Sequence, residues 1–297
     1  MRVLILGASG MLGHKVWQHF AKRFDAYATF RQSPSRYERF GIFDSKRSLG
    51  NVSAENFDSV IRAIEQVHPD AVVNCIGIVK QDAAAKDAVS SIAVNALFPH
   101  RLAHLCRASS ARLVHLSTDC VFSGREGNYS EAAAADATDL YGRTKLLGEV
   151  DYDNCLTIRT SMIGRELEGS HGLIDWFLGE AAAGGRVRGF KRAVFSGLTT
   201  PVLAQLIADL LVDQPHLSGV WHLAADAINK FDLLSLVRDV YGLDVEIEPD
   251  ESFVCDRSLD GSRFRAATGF APPSWREMIE QMQQDETPYN KFRRTDA

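Results

Sequence analysis

Tyr141 and Lys145 stand four residues apart, the spacing that puts two side chains on one face of a helix. A free phenol, with a pKa near ~10, is a poor acid toward a carbonyl at neutral pH. An ammonium beside it stabilises the phenolate and lowers that pKa toward the working range. Thr118 follows the apolar run 112–117, and its hydroxyl can donate to a carbonyl oxygen as negative charge develops there. Proton donor, cationic partner and oxyanion donor together suit reduction of a carbonyl. The Tyr-x-x-x-Lys spacing alone is weak, because many solvent-facing helices contain it.

These side chains need elements to hold them, and the sequence supplies a repeating pair. Arg2–Leu6 reads as a short apolar strand, followed by Gly7-Ala8-Ser9-Gly10-Met11-Leu12-Gly13 and a helix-spaced stretch 13–24. Glycines that leave a strand and open a helix are the context of a dinucleotide turn. Gly7 permits the tight turn, Gly10 the approach of a pyrophosphate, and Gly13 close packing of helix on strand. Ser9, Met11 and Leu12 complete that turn, and the helix N-terminus offers unpaired N–H groups to phosphate. The second strand, 26–30, ends without the carboxylate that would hold an adenosine ribose. Arg31 and Arg36 follow instead, suited to a 2′-phosphate, so NADPH is favoured with NADH left open.

Further alternation follows: a helix over 54–67, a strand at 71–76, a helix over 94–106 and a strand at 112–117. The fold class expected is α/β, a Rossmann-type parallel sheet with helices on both faces and a small C-terminal substrate lobe. Residues 1–165 form the nucleotide-binding core, with 199–242 returning to it. Residues 166–198 and 243–285 form the lobe, and 286–297 a flexible tail.

Composition narrows the partners. Lys and Arg number 33 against 38 Asp and Glu, so there is no overall basic footprint for nucleic acid. No apolar stretch is long enough to span a bilayer, and no signal-peptide pattern follows the first glycines. The cysteines, at 75, 106, 120, 155 and 255, are odd in number and irregularly spaced, as in a reduced cytoplasmic protein. His14, His19, His100, His104, His115 and His171 show no ligand spacing, so no metal is expected. A homodimer is compatible with the sequence.

The motifs taken together resemble the extended short-chain dehydrogenase/reductase family along essentially the whole chain, and within it the nucleotide-sugar 4-ketoreductases of the dTDP-4-dehydrorhamnose reductase type. The matching stretches are 7–13, Ser117-Thr118-Asp119-Cys120-Val121-Phe122-Ser123-Gly124, Tyr129-Ser130-Glu131, the run 141–149 and Ile158-Arg159-Thr160-Ser161. The resemblance implies Tyr141 as general acid, Lys145 as its partner and ribose contact, and Thr118 as the family hydroxyl. It places Asn95 near the cofactor and Lys145. It also implies hydride transfer to the 4-keto carbon of a nucleotide-activated, 6-deoxy type of hexose.

Sugar-nucleotide dehydratases usually carry Thr-Asp-Glu where this chain has Thr118-Asp119-Cys120, which speaks against water loss. Cys120 resembles the cysteine of GDP-fucose synthase, so an epimerase-reductase using Cys120, with His171 as a distant acid, stays open. Other epimerase or dehydratase chemistry and a non-catalytic NADP-binding interaction protein are the remaining alternatives. The implied substrate diphosphate has candidate contacts in Arg186, Arg188, Lys191 and Arg192, with Arg257 and Arg263 weaker candidates and Asp119 near the sugar. Rhamnose-type reductases usually show Gln/Gly-Pro-Thr where this chain reads Phe195-Ser196-Gly197-Leu198-Thr199-Thr200-Pro201, so a UDP-linked 2-acetamido-2,6-dideoxy-4-ketohexose fits equally.

Overall fold

The computed structural model describes residues 1–80 and 83–292. Seven strands make one parallel sheet: β1 (Arg2–Leu6), β2 (Asp25–Thr29), β3 (Ser48–Leu49), β4 (Ala71–Asn74), β5 (Arg112–Leu116), β6 (Cys155–Arg159) and β7 (Gly219–His222). Their order across the sheet is β7-β6-β5-β4-β1-β2-β3. Strands β4 and β6 are buried at every position, and β1 and β5 at all but the first. Such continuous apolar strands need helices on both faces. One face packs against Gly13–Phe20 and Thr200–Asp213, the other against Phe57–Val67 and Phe98–Ala108.

The chain leaves β1 toward β2 and β3, then crosses to β4 on the other side. The order therefore reverses between β1 and β4, and a crevice opens outside their carboxyl ends. Strand β7 pairs with β6 in register Gly219–Leu156 to His222–Arg159. Between them the chain makes an excursion that includes the helix Leu173–Ala182 and the strand Ala193–Phe195. The latter pairs with Ile228–Asn229 and with Cys255–Asp256. This smaller lobe is tied to the core where Asp256 N–H donates to the Gly124 carbonyl at 2.8 Å.

Two expectations need correction. The helix expected over 94–106 is interrupted: Ile92–Leu97 forms a π-helical turn, and the regular helix is Phe98–Ala108. The polar segment expected to fray is, at its start, anchored. Tyr289 is buried, its hydroxyl donates to Asp285 at 2.6 Å, and it shares a 2.8 Å hydrogen bond with His14 Nε2. Lys15 pairs with Asp285 and donates to Thr287 at 3.0 Å. Polarity misleads here because these polar groups satisfy one another against the first helix. Residues 293–297 of that segment lie outside the described residues.

Candidate active site

A cleft of about 610 Å³ lies over the crevice at the strand ends, between core and lobe. Its floor includes Gly10, Met11, Leu12, Cys75 and Gly77. Gly7 takes a left-handed φ of 77°, and its N–H donates to Thr29 Oγ1 at 3.3 Å. A side chain on Gly13 would collide with the Gly7 carbonyl, so helix and turn can meet this closely only without a Cβ. No side chain caps the helix Gly13–Phe20, although its His14 N–H already donates to the Gly10 carbonyl at 3.2 Å. A Cβ on Gly77 would reach only Asn95 Oδ1 at 3.5 Å and Lys145 Nζ at 4.0 Å, so bare backbone faces open space there. These features fit a dinucleotide. Gly7, Ser9, Gly10, Met11, Leu12 and Gly13 make the turn that would hold its pyrophosphate.

The arginines beyond β2 are less simply placed. Arg31 is exposed, and neither it nor Arg36 lines the cleft. Arg36 Nε donates to Glu168 at 3.1 Å and its Nη1 to Gln32 at 2.7 Å, so part of its fork is already occupied.

Thr118, Tyr141 and Lys145 meet on the cleft wall. The helix Leu140–Leu147 is capped by Asp139, which accepts from Gly142 N–H at 2.9 Å and from Lys80 Nζ at 2.8 Å. A Cβ on Gly142 would clash with the Cys120 carbonyl, so the glycine lets this helix close on the turn after β5 and brings Tyr141 to Thr118. The two side chains are close enough for Thr118 to pull the phenol's pKa down. Thr118 Oγ1 also donates to Asp119 at 3.2 Å and accepts from Cys120 N–H at 3.1 Å.

Electrostatics correct the expectation that Lys145 lowers the phenol's pKa. Burial pushes the Tyr141 phenol well above its ordinary range, with Cys120 adding to the shift and Thr118 opposing it. Lys145 instead donates to the Leu116 carbonyl at 2.6 Å, and burial holds its own pKa down to about 8. Asn95, inside the π-helical turn, accepts from Ile78 N–H and donates to the Ile78 carbonyl, both at 2.9 Å. It thereby fixes the 75–78 loop beside Lys145. The extra residue of a π turn re-aims a side chain, a device frequent at functional sites.

The basic residues read as diphosphate contacts separate. Arg186 pairs with Glu246 and Glu248, and Arg188 with Asp250, on a small exposed ribbon. Lys191 is exposed over the Phe231 ring and Arg192 is exposed; none of the four lines the cleft. Neighbouring acidic residues on the strand Glu246–Asp250 take up the charge that sequence position alone leaves unassigned. Arg263 stacks on Trp221, away from the cleft. Arg257, Asp119, Cys120 and His171 do line it. Burial pushes the Cys120 thiol up to about 12.

Sequence reasoning missed Lys80, Glu166, Lys230 and Phe253, all of which line the cleft. Lys230 carried a faint signal, a cation opening a helix directly after the capping Asn229. Among the described residues no group of three or more His, Cys, Asp or Glu could hold a metal ion, and no helix is long and apolar enough to cross a membrane.

The fold agrees with comparisons to known proteins. The family described as RmlD substrate binding domain matches residues 1–287. A dTDP-4-dehydrorhamnose reductase of Streptomyces griseus is 33% identical over 149 residues, 50% of this chain and 43% of that protein. Methionine adenosyltransferase 2 subunit beta of Mus musculus is 31% identical over 152 residues, 50% of this chain and 41% of that protein. The matched stretch thus spans less than half the length of either relative. In three dimensions the chain superposes on dTDP-4-dehydrorhamnose reductase of Bacillus anthracis, in complex with NADP, with a TM-score of 0.78 and 20% identity, over 95% of this chain and 98% of that one. With a match over nearly its whole length, the chain belongs to the RmlD substrate binding domain family of the extended short-chain dehydrogenase/reductases.

Proposed function

We propose that this protein is an NAD(P)-dependent oxidoreductase that reduces the 4-keto group of a nucleotide-activated hexose, with Tyr141 as proton donor. The observation that carries this reading is the meeting of Thr118, Tyr141 and Lys145 on one wall of the cleft whose floor is the glycine turn. NAD(P)H, when bound, supplies the hydride. The protein's own groups do the rest. The Tyr141 phenol is protonated at neutral pH even at its ordinary pKa of ~10, as a donor must be before the reaction; its rise on burial makes it a weaker acid, which the positive charge of Lys145 has to offset. The Thr118 hydroxyl, turned from Asp119 to the substrate oxygen, would share its developing charge. Lys145 supplies a fixed positive charge one helical turn from the phenol, and Asn95 holds the adjoining loop in place. NADPH is the preferred form in this reading, on the strength of Arg31, Arg36 and the missing carboxylate after β2.

One specific likeness favours a second reading. A relative that is a subunit of a different enzyme, methionine adenosyltransferase 2, makes a non-catalytic NADP-binding interaction protein worth testing. Retention of the three polar groups beside an open cleft argues for chemistry. The test is a panel of dTDP- and UDP-linked 4-ketosugars, monitored for oxidation of NADPH and NADH. Oxidation with any of them supports the reductase; cofactor binding with no oxidation across the panel supports the interaction protein.

A further inference from the structure

His14, the second residue of the helix Gly13–Phe20, is fully buried, and both its ring nitrogens are engaged. Nδ1 lies 2.8 Å from the Gly10 carbonyl, which also accepts from the His14 backbone N–H at 3.2 Å. Burial holds the His14 pKa down to about 3, so the ring is neutral and has one proton. A carbonyl brings none, so that proton sits on Nδ1 and Nε2 is left to accept. Nε2 is 2.8 Å from the Tyr289 hydroxyl. That hydroxyl has one proton for two acceptors, Nε2 and Asp285 at 2.6 Å. Lys15 and the Thr287 hydroxyl relieve the carboxylate, the hydroxyl donating to it at 2.8 Å.

The Gly10 carbonyl matters because of the peptide it belongs to. That peptide is trans, so its N–H, on Met11, points opposite to the carbonyl. With the carbonyl drawn down onto His14, the Met11 N–H is turned away from the helix body, at the end where Gly10, Met11 and Leu12 line the cleft. A pyrophosphate would meet the turn from that side.

Tyr289 reaches a second part of the cleft wall. The Arg165 guanidinium lies over its ring, 4.7 Å from the centroid, and Arg165 pairs with Asp175. Asp175 also accepts from the Glu166 N–H at 2.6 Å, and Glu166 accepts from the His171 and Gly172 N–H groups at 2.9 and 3.0 Å. Glu166, His171 and Gly172 line the cleft, and a Cβ on Gly172 would come within 2.6 Å of Met11 Cε. One phenol thus supports the glycine turn through its hydroxyl and, through its ring, the stretch 165–172 that packs on that turn.

We propose that His14 and Tyr289 are positioning residues of the cofactor site, acting in series to fix the Gly10–Met11 peptide with its N–H toward the pyrophosphate. Dinucleotide affinity therefore depends on a strap, residues 285–289, near the far end of the chain. Neither residue lines the cleft, so both act through the Gly10 carbonyl. The assignment rests on the dinucleotide reading of the turn.

The test is titration with NADPH of the full chain, of Tyr289→Phe, of His14→Phe and of the double variant, under conditions where urea unfolding shows each to be folded. Tyr289→Phe keeps the ring under Arg165 and removes only the hydroxyl. Each single variant should weaken NADPH about three- to tenfold, the scale of one net hydrogen bond. Residues in series are not additive, so the double variant should fall no more than about twofold below the weaker single one. His14→Gln replaces His14→Phe throughout if the latter does not fold. Unchanged NADPH affinity in folded variants overturns the proposal and leaves the strap a stability element alone. Losses that multiply in the double variant overturn the series. A parent that binds neither NADPH nor NADH defeats the dinucleotide reading itself, which unchanged variants of a binding parent would leave standing.

Discussion

Lys145→Met should remove a pH-dependent contribution to stability whose size follows from the site. The ammonium is buried against the Leu116 carbonyl, and its pKa falls from 10.5 to about 8. The unfolded chain therefore holds this proton more tightly than the fold does. Carrying the charge inside costs roughly 3 kcal/mol at pH 7, at about 1.4 kcal/mol for each pKa unit. As pH rises through 8 toward 10.5 the folded group gives up its proton first, so the cost is relieved and stability rises. Methionine fills similar space without a charge and has no such window. Urea unfolding of both proteins at pH 7 and pH 10 gives the comparison, other titrating groups cancelling between them. The parent should gain on the variant by about 2–3 kcal/mol over that interval. Parallel stability profiles, or a parent that loses ground as pH rises, would refute the assignment of Lys145 as a strained buried cation.

Tyr141→Phe should keep NADPH binding while turnover on a competent ketosugar falls at least ~10²-fold, the usual scale of proton-transfer assistance; near-normal turnover would sink the donor role. Cys120→Ala should leave turnover within about threefold of the parent, since the thiol, pushed up to about 12, is protonated at neutral pH, and a collapse of activity would count against simple reduction. Tyr289→Phe should cost about 1–3 kcal/mol in urea unfolding, because it leaves His14 Nε2 and Asp285 with a lost partner in a buried setting. An unchanged unfolding midpoint there would mean that the C-terminal anchor contributes nothing.

The sequence made some of this legible because local rules and tertiary need coincide. Three glycines after an apolar strand can be read as a turn because only such a backbone lets Gly13 meet the Gly7 carbonyl. Tyr141 and Lys145 share a face through helix spacing alone. The basic run 186–192 misled because a charge says nothing of its partner, and Glu246, Glu248 and Asp250 arrive from a strand some sixty residues later. Lys230 escaped notice for a similar reason. Its place in the cleft exists only once the helix Lys230–Tyr241 brings its ammonium over the Phe195 ring. The end of the chain was misread because a polar segment that satisfies its own hydrogen bonds against His14 and Lys15 has the composition of a tail.

The burial that raises Tyr141 also bears on which reaction the cleft can run. Reduction begins with a protonated donor, and a low-dielectric wall keeps the phenol in that form. Epimerisation before reduction would begin with a base that takes a proton alpha to the carbonyl. Cys120 lines the cleft and is the candidate for such a base, but the same burial, assisted by Asp119, disfavours its thiolate. Arg257 and Thr118 favour the thiolate, but the net shift is upward. One physical cause thus holds both groups protonated: it withholds the base that epimerisation needs and leaves the proton that reduction needs on Tyr141, as a weaker acid. Turnover in deuterated water should accordingly leave C3 and C5 of the product free of deuterium. Incorporation at either carbon would show that bound substrate reverses this balance, and would make Cys120 part of the chemistry.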